Sequence, residues 1–262
     1  MRLEDNVLID AYCLYRQKSK DTPKDNEYAD YGWEKLPEKL NADWLGYGLF
    51  LIEASRSLAN LVNQLGNYAH RLRAWDAVLG EFDEDQDLEL LHEFVDPIAT
   101  VVLNLPYAIQ SRFIFTTTHL SHQANKALLG TTWRDDLPDD RKISIKIARK
   151  YAKGWSCFKD LDAAISAIFS DEHRQKTNEF RHKYNHQLPT QVIIGHSTFV
   201  RRSRKIKPKG VTYEFGHFPP INISLLADEM VQEFKLSLSA FKSYKLLVAQ
   251  QITAIKHNNP LP

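Results

Sequence analysis

Apolar residues recur at helical spacing along most of this chain. Leu51, Leu58, Leu65, Leu72 and Leu79 stand seven apart, and Leu61, Tyr68 and Trp75 fall between them at the offset of a second seam. Such a stripe predicts one long helix over Trp44–Leu79, packed on a neighbour, and reads as core rather than as a ligand box. Leu88–Leu129 keeps the helical pattern, with a break or kink expected near Pro97 and Pro106 and a stop at Gly130. From Arg141 to Phe169 the residues Ile143, Ile147, Tyr151, Trp155, Phe158, Leu161, Ile165 and Ile168 step by three and four. Ser170 then reads as the N-cap of a new helix, with Asp171 and Glu172 in its first turn. That helix carries Phe180 and Tyr184 on one face and must end before Pro189. The last helix, Ser224–Lys256, presents Leu226, Met230, Phe234, Leu238, Phe241, Leu247 and Ile252 as a buried stripe.

Two stretches depart from this period. The first forty residues are polar and predict a short helix around Leu8–Tyr15 followed by a loop. Between Gln191 and Phe218, QVIIGHSTFV and GVTYEF read as strands joined by RRSRKIKPKG, which predicts a β-hairpin or irregular loop with a basic tip. The acidic run Glu81–Asp87 reads as a turn and helix start, since it lacks the glycine and terminal glutamate of a calcium loop. The expected fold is mainly α. It is a bundle of long antiparallel helices with a small basic β excursion before the last one, arranged as residues 1–105 (an N-terminal helical region) and 106–262 (the bundle).

Composition excludes several classes. The 262 residues are 43% hydrophobic and 26% charged, as in an ordinary soluble protein. The two cysteines, Cys13 and Cys157, form no CxxC pair, so neither a zinc knuckle nor a disulfide framework is suggested. Neither GxxxxGK[ST] nor GxGxxG occurs. No uninterrupted apolar run reaches membrane-spanning length, and MRLEDNVLIDAY lacks the apolar core of a signal peptide. A cytoplasmic protein without membrane attachment, cofactor or metal is the resulting expectation.

Net charge is +1, but it is unevenly distributed. Residues 71–140 hold 5 Lys+Arg against 13 Asp+Glu, whereas 141–210 hold 17 against 5. A basic section suits a polyanionic partner, although the two sections could equally neutralise each other within the fold or across a dimer.

Within the basic section lies FRHKYNHQLP, Phe180–Pro189, with Arg181, His182 and His186 close together. Arginine grips phosphate through a planar fork, and histidine moves protons near neutral pH. The two suffice for metal-free RNA cleavage. A base takes the 2′-hydroxyl proton, the oxygen attacks the adjacent phosphate, and a cation stabilises the developing charge. Here His186 is the proton-transfer candidate and Arg181 the phosphate clamp. With 14 arginines and 10 histidines in 262 residues, any one Arg–His spacing arises about 0.5 times by chance. Arg112 and His119, with six residues between, form a comparable pair.

The context of Arg181-His182-Lys183-Tyr184-Asn185-His186 is more telling: arginine, a polar residue, three residues, then histidine, near a helix end between two further helices. In this it resembles the HEPN superfamily of small α-helical bundles, over about residues 106–256. That resemblance implies a metal-independent RNase, or a degenerate relative that binds RNA or a partner protein. It further implies a homodimer in which two motifs meet, with Arg181 and His186 catalytic and His182 orienting, and a toxin, defence or stress setting with an antitoxin or other protein partner. Histidine replaces the commoner asparagine at position 182.

Residues five apart on a helix point about 140° away from each other. Arg181 and His186 therefore need either a loosened turn or a second subunit. In the last turn, His186 would also feel the helix dipole, which favours its protonated form. His182 and His186, four apart, could alternatively hold zinc, with His119 and His122 as a second pair, but the glutamate of HExxH is absent. The plain alternative is a solvated helix end. Arg201, Arg202, Arg204, Lys205, Lys207 and Lys209 are the candidate RNA-binding cations, with Tyr213, Phe215 and Phe218 as stacking or packing residues.

Overall fold

The computed structural model describes residues 5–24, 27–37, 41–188, 191–192, 200–205, 210–216 and 219–258. The chain is mainly α. Its helices are α1 (Asp5–Asp21), α2 (Ala42–Asp76), α3 (Glu84–Leu90), α4 (Asp96–Leu129), α5 (Ile145–Ala152), α6 (Phe158–Ala167), α7 (Asp171–Lys176) and α8 (Phe180–His186), followed by strands β1 (Val200–Lys205) and β2 (Gly210–Phe215) and by α9 (Ile223–His257). α2 and α9 have 35 residues each, about 52 Å of helix. The chain forms two compact units, one of residues 1–24, 66–104 and 171–231, the other of 25–65, 105–170 and 232–262.

In the second unit, residue pairs set the helix directions. Tyr47 Oη donates to Gln251 Oε1 at 2.9 Å, and Ser55 Oγ lies 3.1 Å from Tyr244 Oη. α2 therefore runs against α9. Arg112 bonds Ser57, and Lys126 pairs with Asp43, so α2 runs against α4 as well. Phe113 meets the Tyr244 ring edge-on, and Gln251 Nε2 donates to Ser121 Oγ at 3.0 Å, so α4 and α9 run the same way. Tyr47, Ser55, Ser121, Tyr244 and Gln251 are all buried, and their polar atoms are paired, as an interior requires.

The first unit has an aromatic core. Trp75 stacks on Tyr15 at 4.5 Å and on Phe94 at 4.8 Å, among Leu72, Leu90, Leu91 and Val95. The acidic run behaves as a helix start: Asp83 caps α3 in a reciprocal box with Gln86, and Asp87 accepts from the backbone N–H of Gly80.

Some element boundaries differ from the sequence expectation, for local reasons. The break expected near Pro97 becomes a single π turn, Leu91–Val95. Its wider spacing lies where the proline ring would otherwise meet the carbonyl four residues back. α4 continues through Pro106 and ends where Gly130 takes φ +51. The periodic stretch 141–169 divides at Gly154 and Trp155 into α5 and α6. The helix predicted from Ser170 to Leu188 is two helices, α7 and α8. By length and composition alone, Glu84–Thr132 passes the test for a membrane span, a test that core helices of soluble proteins pass as well.

Candidate functional site

α8 owes its position to the way α7 ends. Asn178 N–H bonds Gln175 O at 3.0 Å and Glu179 N–H bonds Arg174 O at 2.7 Å, the paired bonds of a Schellman motif. Asn178, at φ +52, takes the left-handed position usually given to glycine, and Glu179 follows at φ +54. Two such residues in succession cost on the order of 1 kcal/mol each. Thr177 secures the junction from inside, buried and donating through Oγ1 to His173 O at 2.8 Å. Phe180 then anchors α8, 2% exposed, with its ring stacked on Tyr184 at 5.4 Å.

With Phe180 inside, His182, Tyr184, Asn185 and His186 face outward. His182 and His186 are exposed, their ring centroids 5.3 Å apart one turn from each other. Gln187 Nε2 lies 3.3 Å from His182 Nε2, and Asn185 Nδ2 donates to Arg181 O at 2.7 Å. Arg181 is half-buried. The helix is regular from Phe180 to His186, so the loosening falls before the motif, not within it. Arg181 and His186 keep their angular separation of about 140°. His182 and His186 share a face, but among the described residues no third ligand joins them into a metal-binding group.

Four of the six basic residues predicted at a hairpin tip lie in a strand instead. Arg201, Arg202, Arg204 and Lys205 belong to β1, which pairs antiparallel with β2 from Val200↔Phe215 to Lys205↔Gly210. The predicted first strand, QVIIGHSTFV, contributes Val200 to β1 and Val192 to an isolated bridge with Ile221. Lys207, Lys209 and Phe218 lie outside the described residues. A strand carrying four cations was hard to foresee, because charged runs ordinarily mark loops.

The second Arg–His pair has a different setting. Arg112 and His119 are seven apart on α4 and share a face. Arg112 Nη1 donates to Ser57 Oγ at 3.0 Å and borders an open cleft of about 710 Å³ with Tyr107, Ser111, Phe115, Asp140 and Ser144. His119 sits against the rings of Phe50 and Phe115, at 5.2 and 4.4 Å, with Nε2 3.1 Å from Asp140 Oδ1. Burial pushes its pKa down, against the pull of Asp140. One turn on, buried His122 places Nε2 3.0 Å from Asp135 Oδ1. Asp136 takes Lys150 Nζ at 2.9 Å and Tyr151 Oη through both its backbone and side-chain oxygens. These bonds hold the Asp136 carboxyl below its ordinary range and the Lys150 ammonium above its own. Trp133 Nε1 donates to His122 O at 3.0 Å. The loop 133–140 is thereby clamped to α4 and α5. The sequence showed it only as polar; the clue was four aspartates after a histidine pair three apart.

A further buried histidine, His173, was not singled out by its sequence. It is 1% exposed, with Nδ1 3.0 Å from Glu229 Oε1, while Lys176 Nζ reaches Glu229 Oε2 at 3.1 Å. Burial pushes its pKa down, against the pull of Glu229.

No family model, curated protein or solved structure matches the chain.

Proposed function

We propose that this protein cleaves RNA without a metal ion, as a HEPN-like ribonuclease acting as a homodimer. The observation that carries this reading is the exposure of His182 and His186 beside Arg181 on one short helix anchored by Phe180. An exposed imidazole can reach a substrate proton, which one enclosed by rings and carboxylates cannot. The compact unit that holds α8 also holds the basic strand β1, so phosphate-binding charge belongs to the same body.

In the proposed step, His186 takes the 2′-hydroxyl proton, and the resulting oxyanion attacks the adjacent phosphorus. Arg181 neutralises charge on the non-bridging oxygens. The 5′-oxygen leaves with the proton that His186 took up, so the products are a 2′,3′-cyclic phosphate and a 5′-hydroxyl, and the base is regenerated. His182 orients the reacting phosphate. The angular offset of Arg181 and His186 on a regular helix favours a site in which each subunit supplies one of them.

The test is cleavage of single-stranded RNA in EDTA by the wild type, Arg181→Ala, His186→Ala and an equimolar mixture of the two variants. Each variant alone should be inactive. If subunits exchange and the site is shared, roughly a quarter of wild-type activity should return on mixing, since half of the dimers then carry one intact site. Cleavage that needs an added metal, or that survives in both single variants, overturns the reading. Binding without cleavage in the wild type leaves the non-catalytic alternative, an RNA- or partner-binding module of this fold.

A further inference from the structure

The register of the β-ribbon sorts its residues onto two faces. Directly opposed residues of an antiparallel pair project to the same side, and alternate residues along a strand do as well. Val200 opposes Phe215, Arg202 opposes Tyr213, and Arg204 opposes Val211. One face thus combines Val200, Arg202, Val211, Tyr213 and Phe215. Aromatic residues in strands ordinarily pack against something. Here Phe215 is 81% exposed and Tyr213 58%, with Arg202 exposed beside them. This leaves two rings and a guanidinium in solvent on one side of a two-stranded ribbon.

The charge around this face indicates its occupant. Between Arg174 and Phe215 the chain has ten Lys+Arg and two carboxylates, Glu179 and Glu214, the latter on the strand position between the two rings. An aromatic surface in so cationic a segment suits a partner with flat rings and regularly spaced negative charge. The spacing agrees. Tyr213 and Phe215 are two strand residues apart, about 7 Å, twice the roughly 3.4 Å rise of a stacked nucleotide strand. One base fits between the two rings. A paired base, already stacked in a duplex, does not have its faces free to enter.

We infer that this face of the ribbon is a stacking platform for single-stranded RNA, with Tyr213 and Phe215 holding bases and Arg202 a phosphate. The inference rests on the reading that the protein handles RNA, but it concerns binding and not cleavage, and the two separate experimentally. The probe is a short fluorescein-labelled oligoribonucleotide, 2′-O-methylated throughout so that it lacks the attacking hydroxyl. Its binding is followed by anisotropy, alongside cleavage of the unmodified oligonucleotide. Tyr213→Ala and Phe215→Ala should each weaken binding roughly 5- to 150-fold, while Tyr213→Phe retains it. Arg202→Ala should weaken binding to every sequence and lower its salt dependence. The same RNA as a duplex should bind less well. Thermal denaturation of each variant checks that the fold is intact.

Wild-type protein that does not bind the methylated strand overturns the platform, as do both alanine variants binding as wild type does. Wild-type protein that binds through these residues but never cuts overturns the ribonuclease and leaves the platform standing. Cleavage that persists while the ribbon variants bind unchanged does the reverse.

Discussion

The chain contains two arginine–histidine pairs of nearly the same spacing, and the structure treats them in opposite ways. On α4, His119 packs against two phenyl rings with its Nε2 on Asp140, and Arg112 is bonded to Ser57. On α8, His182 and His186 face solvent and only Phe180 is buried. By geometry alone the α4 pair is better placed, because residues seven apart share a face and residues five apart do not. What distinguishes them is commitment. His119 holds a loop to a helix, and a ring occupied in that way is not free to take and return a substrate proton. The lesson is that spacing proposes a catalytic pair, while the company each imidazole keeps decides what it can do.

The largest expected effect breaks or sustains this contrast directly. His186→Ala should lower RNA cleavage at least about 100-fold, the usual contribution of a positioned proton-transfer group. His119→Ala should leave the rate within about twofold. Rates measured in EDTA on both variants decide it, and if His119→Ala is the inactive one, the roles of the two regions are exchanged.

Stability should show the opposite order. His122 is buried and bonded to Asp135 within the clamped loop, so His122→Ala removes packing and a hydrogen bond together, at roughly 2 kcal/mol. In a chain of this size that lowers Tm by about 4–8 °C. His186→Ala, at an exposed position, should stay within about 0.5 kcal/mol. Thermal denaturation monitored by circular dichroism measures both, and equal losses would erase the distinction between a structural and an available histidine.

The fold was largely legible in the sequence because helices announce themselves by period. The stripe Leu226, Met230, Phe234, Leu238, Phe241, Leu247 and Ile252 is buried throughout α9, and Leu51, Leu58, Leu65 and Leu72 are buried along α2. Helix ends were partly visible, as in the acidic start within Glu81–Asp87 and the stop at Gly130. Features decided by backbone geometry were not. Asn178 ends α7 in a conformation that glycine normally signals, so α7 and α8 read as one helix. Arg201, Arg202, Arg204 and Lys205 read as a loop tip because strand propensity ranks charge low, and only pairing with Gly210–Glu214 makes them a strand. The clamp on loop 133–140 joins residues up to 21 positions apart and leaves no local pattern. Of the candidate site, the sequence offered the residues; which of them are exposed required the fold.

The smallest expected effect concerns pH, and it sets the enclosed histidines apart as a group. Burial is the leading cause of the lowered pKa of His70, His119 and His173. Each folded-state pKa then lies below the unfolded value of about 6.5, so the unfolded chain binds more protons on acidification. The stability these residues contribute is present above about pH 6.5 and is lost as pH falls through and below that value. Asp136, Glu27 and Glu172 are held low by lysine partners, so their contribution is lost only at more acidic pH. Between pH 7 and pH 5 the denaturation midpoint should therefore fall. Replacing His119 and His173 by glutamine should flatten that slope. A wild-type midpoint that is constant over this range, or a slope unchanged in the double variant, would show that these rings are not held neutral by the fold.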